Sequence, residues 1–124
     1  MKFKVIKRTN PLNEEEAKYY AKPVYGEELT VLDLAKDISD ACTLHVADVE
    51  AVLTALVLKL PVYLKNGFKV QLGSFGRVKL GLSSTGEDKE ADVSAANITA
   101  KRILFTPSPE LKSEIDKVSF TKAV

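Results

Sequence analysis

A chain of 124 residues with one cysteine, one histidine and a formal net charge of +1 is of single-domain size and has no internal disulfide or Cys-based zinc site. Near-neutrality argues against a strong, indiscriminate polyanion binder. No apolar run approaches the roughly 20 residues of a membrane span. The start, Met1-Lys2-Phe3-Lys4-Val5-Ile6-Lys7-Arg8, lacks the apolar stretch of a signal peptide, so a cytoplasmic location and a small, buried, reduced Cys42 are expected.

Residues 3–7 and the Tyr- and Val-rich residues 18–25 read as strands. Asn10-Pro11 and Glu14-Glu15-Glu16 make the stretch between them a polar loop, and Pro23 makes the second strand an edge or a broken strand. A helix follows, with Thr30 as N-cap and Asp33 closing a capping box. Val31, Leu34, Ala35, Ile38 and Ala41 form its apolar face.

A second, longer helix begins near His45. Val49, Val52, Leu53, Leu56, Leu60 and Leu64 recur at helical spacing, and Val57 and Tyr63 widen the stripe beyond what one packing partner needs. Pro61 predicts a kink, and Asn66-Gly67 the end of the helix. Phe68, Val70 and Leu72, then Val78, Leu80 and Leu82, alternate with polar residues as two strands around Gly73-Ser74-Phe75-Gly76. Residues 83–97 are small and polar. Ile98 to Phe105 predicts a further strand. Ser108 as N-cap and Pro109 at the first helical position open a last helix with the stripe Leu111, Ile115 and Val118.

Charge is unevenly spread. Residues 1–8 carry Lys2, Lys4, Lys7 and Arg8 with no acid, the middle of the chain is acidic, and residues 67–106 are mildly basic. Lys69, Arg77, Lys79, Lys101 and Arg102 are candidates for a basic strand surface that meets phosphates. The alternative is a solvated sheet face, and Arg102 has the further alternative of lying on a buried face with Ile98. The basic N-terminal run either adds phosphate contacts or protects an edge strand with lysines. His45 fits a capping position, and no nucleophile or carboxylate cluster adjoins it for catalysis. Nothing near Glu14-Glu15-Glu16 completes a metal ligand set. Gly73-x-x-Gly76 lacks the lysine and helix of a phosphate loop. No catalytic residue, cofactor, metal or small-molecule substrate is expected.

Two local motifs carry a family likeness. Lys69-Val70-Gln71-Leu72 with Phe75-Gly76 resembles the first strand and turn of the HU/integration host factor family, with Ser74 replacing a glycine. Phe105-Thr106-Pro107 with Leu111-Lys112 resembles that family's entry into its final helix. The likeness is closest to the longer HU-like proteins typical of the Bacteroidetes, which share a tyrosine-rich N-terminal strand segment. It implies an α+β fold of N-terminal helices, a sheet with a hairpin arm and a short C-terminal helix, assembled as an intertwined dimer. The implied organisation is an N-terminal strand extension over residues 1–28, an HU-like domain over 29–118 and a tail over 119–124. The implied partners are double-stranded DNA and a second copy of the chain, in the bacterial nucleoid.

Two departures from the family stand out. Its arm is Arg-rich with a proline at the tip. Here Gly81 to Asn97 has neither, and its tip, Glu87-Asp88-Lys89-Glu90-Ala91-Asp92, is net acidic. About four extra residues also lie between Asn97-Ile98 and Phe105. The arm is therefore expected to be short and mobile, and either idle or aimed at a basic protein. Two function classes follow: a weakly sequence-selective, histone-like protein that organises or bends DNA, or an HU-fold interaction module with weak or lost DNA binding.

Overall fold

The computed structural model describes residues 1–123, apart from the side chain of Glu14. Its elements are β1 (Lys2–Asn10), β2 (Asn13–Val24), α1 (Val31–Asp40), α2 (Val46–Lys65), β3 (Val70–Gln71), β4 (Gly76–Ser84), β5 (Ile98–Pro107), α3 (Pro109–Asp116) and β6 (Thr121–Lys122). Two single turns of 3-10 helix, Glu90–Asp92 and Ala95–Asn97, lie between β4 and β5. The chain divides into two compact units, one of residues 1–28 with residues from 114 onward, the other of residues 29–113. No helix among the described residues is long and apolar enough to cross a membrane.

In the first unit, β1 and β2 form a long antiparallel hairpin, registered from Lys2 opposite Val24 to Thr9 opposite Ala17. The expected polar loop is confined to the turn at Pro11-Leu12. The Asn10 side chain accepts the Leu12 N–H at 3.0 Å, the Asn13 side chain accepts the Glu15 N–H at 3.2 Å, and Glu15 and Glu16 belong to β2. Asx turns of this kind close the reversal early. Pro23, whose missing N–H would break a central ladder, sits on β2 at the sheet edge. The basic strand β1 is not simply an edge, because β6 pairs with Lys2 and Phe3 in parallel and gives the order β2-β1-β6. Residues 121 and 122 of the expected tail therefore lie in a sheet, while Val124 falls outside the described residues.

In the second unit, Thr30 caps α1 in a reciprocal box. The Asp33 N–H donates to the Thr30 hydroxyl oxygen at 3.3 Å, and the Thr30 N–H donates to the Asp33 carboxylate at 2.9 Å. His45 occupies the N-cap position of α2 but makes no side-chain capping bond, which corrects the expectation of a cap. Gly67, just past the helix, takes the left-handed conformation (φ 84°) that ends a helix without a Cβ penalty. Helices α1 and α2 pack on each other, and α2 also touches β3 and β4. Ala35, Val49 and Leu64 make the buried core. Cys42, expected to be buried, is exposed. The β3-β4-β5 sheet is antiparallel, with β3 shorter than the expected Phe68–Leu72 strand.

Candidate nucleic-acid interface

The β4–β5 register sorts the candidate cations by face. Arg77 pairs with Thr106, Lys79 with Leu104, Gly81 with Arg102 and Leu82 with Lys101. Directly paired residues and those two apart share a face. Arg77, Lys79 and Arg102 therefore project from one face, and Gln71, opposite Arg77, joins them from β3. Lys69, two residues before Gln71, precedes β3. Lys101 lies on the other face, among Val78, Leu80, Leu82, Ile103 and Phe105. Sequence alternation separates Lys101 from Arg102, but only the register decides which of them joins Arg77 and Lys79. Arg102 is exposed in the single chain.

Arg102 is held in place. Its guanidinium donates to the Ser83 hydroxyl at 2.9 Å and to the Leu82 carbonyl at 3.1 Å. Gly81, directly opposite, leaves the space: a Cβ there would stand 2.6 Å from Leu104 Cδ1 and 3.3 Å from Arg102 Cγ. Gly81 is thus a positioning residue that sequence reading missed. A glycine within an alternating strand is the available signal of such a close approach.

The two motifs behind the family likeness meet at the base of this face. Leu72 to Phe75 forms a turn in which the Phe75 N–H donates to the Leu72 carbonyl at 3.0 Å, with Gly73 at φ 55°. Positive φ at the first central position is the glycine-requiring geometry of a II′ turn. Gly76 then pairs with Pro107, and the Ser108 N–H donates to the Phe75 carbonyl at 3.1 Å. The Ser108 hydroxyl donates to the Ser74 carbonyl and accepts the Leu111 N–H, so one side chain both caps α3 and ties it to the turn. The Phe75 and Phe105 rings pack at 5.2 Å. A depression of about 630 Å³, bordered by Gln71, Arg77, Thr106 and Glu110, opens here.

At the other end of the β4–β5 ribbon, the acidic connection is folded on Asn97, whose side chain is buried. Its amide donates to the Thr85 hydroxyl at 3.0 Å and to the Glu87 carboxylate at 2.9 Å, and its oxygen accepts the Ser94 N–H at 2.8 Å. These bonds close the connection with a hydrogen-bonded cap. Among the described residues the one ion pair is Lys117 with Glu114, so Lys69, Arg77, Lys79 and Arg102 carry no carboxylate partner there.

The family model described as an HU domain fused to wHTH, Ig or glycine-rich motif (HU-HIG) matches residues 1–122. A crystal structure of a Bacteroides vulgatus protein, described as a bacterial DNA-binding protein, superposes with a TM-score of 0.60 at 11% identity. That match covers 98% of this chain and 47% of the other, so the chain spans about half the length of that relative. The Anabaena HU–DNA cocrystal structure superposes with a TM-score of 0.57 at 16% identity, over 73% of this chain and 100% of Anabaena HU. These likenesses establish an HU-like mixed α+β fold. None of the curated proteins matches the sequence.

Proposed function

Because the chain belongs to the family of HU domains fused to wHTH, Ig or glycine-rich motifs, we propose that it is a dimeric, weakly sequence-selective, histone-like protein that organises or bends duplex DNA in the bacterial nucleoid. The observation that carries this reading is the face bearing Arg77, Lys79 and Arg102, whose cations are exposed and free of carboxylate partners among the described residues. Guanidinium and ammonium groups in that state meet phosphates without first breaking an ion pair. Lys69 extends the set at the start of β3. Lys101, on the apolar face, contributes from a different direction or faces the second copy.

The acidic connection supports a second reading, in which the HU fold serves protein interaction and DNA binding is lost. It carries Glu87, Asp88, Glu90 and Asp92 against Lys89, and it has neither proline nor arginine. The DNA reading therefore rests on the sheet face and not on a minor-groove wedge.

The test is duplex affinity by fluorescence anisotropy across a salt series, for the intact protein and for Arg77→Gln/Lys79→Gln. Each phosphate contact contributes a slope of about −0.9 in log affinity against log salt. The double variant should bind all sequences more weakly, with a slope shallower by about 2. An unchanged affinity and slope would reduce these residues to a solvated sheet face. Absence of any duplex binding by the intact protein would favour the interaction module.

A further inference from the structure

The β1–β2 register divides the N-terminal hairpin into two chemically distinct faces. Phe3, Val5, Lys7 and Thr9 lie opposite Pro23, Ala21, Tyr19 and Ala17 and share one of them. The other carries Lys2, Lys4, Ile6 and Arg8 from β1, opposite Val24, Lys22, Tyr20 and Lys18 of β2. The basic run of the sequence is thus split, since Lys7 points away from Lys2, Lys4 and Arg8. In its place β2 supplies Lys18 and Lys22. All five cations of this face are exposed.

Two of the cross-strand pairs are like-charged and directly opposite, Lys4 with Lys22 and Arg8 with Lys18. Like charges so placed destabilise a sheet. Among the described residues no carboxylate lies within ion-pair distance of any of the five. Glu16, the acid at the end of the face, is engaged by the Asn10 amide at 3.1 Å. Twofold like-charge opposition with no ion-pair partner among the described residues is the arrangement that an external polyanion relieves.

We propose that this face of the hairpin is a second phosphate-binding surface for duplex DNA, separate from the β4–β5 face. This inference rests on the DNA-binding reading given above. Alternate residues on a strand are about 6.7 Å apart. Lys2, Lys4 and Arg8 therefore form one row, and Lys22 and Lys18 a second beside it, matched to a linear, evenly charged backbone. A bilayer surface is disfavoured, because the face offers no free apolar wedge of the kind interfacial segments insert. Ile6 and Val24 are only partly exposed, and the Arg8 guanidinium stands over the half-exposed Tyr20 ring, 5.6 Å from its centroid. Since contact is with the backbone, binding here is indifferent to base sequence.

The experiment titrates the full chain with labelled duplex across a salt series. It compares the intact protein with Lys4→Gln/Lys18→Gln/Lys22→Gln, with the single variants Lys4→Gln and Lys18→Gln, and with Lys7→Gln on the opposite face. The triple variant should lose about 2 to 3 units of the log–log salt slope and each single variant about 1, while Lys7→Gln keeps the slope. Melting temperatures of Lys4→Gln and Lys18→Gln should match or exceed that of the intact protein, because each removes a like-charge opposition. A triple variant with the slope of the intact protein overturns the inference and leaves the β4–β5 reading standing. Failure of the intact protein to bind duplex overturns both. Hairpin-dependent binding to phosphatidylserine vesicles, with the duplex slope unaltered by the triple variant, assigns the face to a membrane and overturns the proposal.

Discussion

Thr30 and Asp33 show what a local signal can fix. A capping box needs two residues three apart, and the sequence supplied both. Its chemistry also sets a pH dependence. The Asp33 carboxyl is held below the usual carboxylate range, first by the Thr30 backbone N–H and then by the Thr30 hydroxyl, with Lys36 adding a smaller effect and burial opposing. A depressed folded-state value means that the unfolded chain binds the proton more readily. The contribution is fully present above the ordinary value of about 3.9 and is lost as the pH falls through the folded value. Thermal melts below about pH 4 should show Asp33→Asn losing stability less steeply with acid than the intact protein. Equal steepness would mean the cap does not sense that proton. His45 is the counterexample: its position suggested a cap, yet whether its ring reaches a helix N–H depends on its rotamer, which no sequence pattern encodes. Gly76 was legible as part of the turn between two strands, whereas Gly81 was not singled out. A Cβ at Gly76 would lie 2.5 Å from the Thr106 carbonyl oxygen, which is backbone and cannot yield, whereas at Gly81 the nearest atom ends the flexible Leu104 side chain. In urea unfolding, Gly76→Ala should cost about 3 kcal/mol or more and Gly81→Ala about 1 kcal/mol, the range of overpacking. The reverse order would contradict this account of the sheet.

At the scale of elements, the helices and the β4–β5 ribbon were readable because their apolar periods are long and regular. The β1–β2 turn was misplaced because a run of three glutamates suggests solvent, although an edge strand accommodates charge as readily as a loop does. The hydrogen-bonded order of the connection between β4 and β5 was not legible for a related reason. Its composition is that of a mobile loop, and only the three-dimensional convergence of Thr85, Glu87 and Ser94 on Asn97 organises it. Its charge still argues against DNA contact, since Glu87, Asp88, Glu90 and Asp92 would meet phosphates as like charges, screened beyond roughly 8 Å at physiological salt. Replacing residues 86–92 by an Asn-Gly turn should leave duplex affinity unchanged or raise it modestly, most visibly at low salt. Circular dichroism would confirm that the shortened form is folded. A tenfold loss, about 1.4 kcal/mol, would show that this connection contacts DNA.

At the scale of the molecule, the single chain leaves a broad apolar surface uncovered. On α2, Val49, Leu53, Leu60 and Leu64 face inward or are half-buried, while beside them Val52, Leu56 and Tyr63 remain 63%, 40% and 44% exposed. The Lys101 face of the sheet adds Leu80, Leu82, Ile103 and Phe105, all exposed. Each such side chain contributes roughly 1.5–3 kcal/mol when fully buried, and a second copy is the partner that the family reading supplies. The breadth of the α2 stripe was visible in the sequence, but the division of the cations between faces was not, because pairing register sets it and composition does not. The most direct measurement of the central claim is sedimentation velocity at micromolar concentration, alone and with a short labelled duplex, for the intact protein and for Leu56→Asp. The account predicts a dimer alone and two chains on the duplex, with Leu56→Asp dissociated or unfolded and unable to bind, because it buries a charge without a partner. A folded monomer that binds the duplex as a single chain, unaffected by Leu56→Asp, would contradict it.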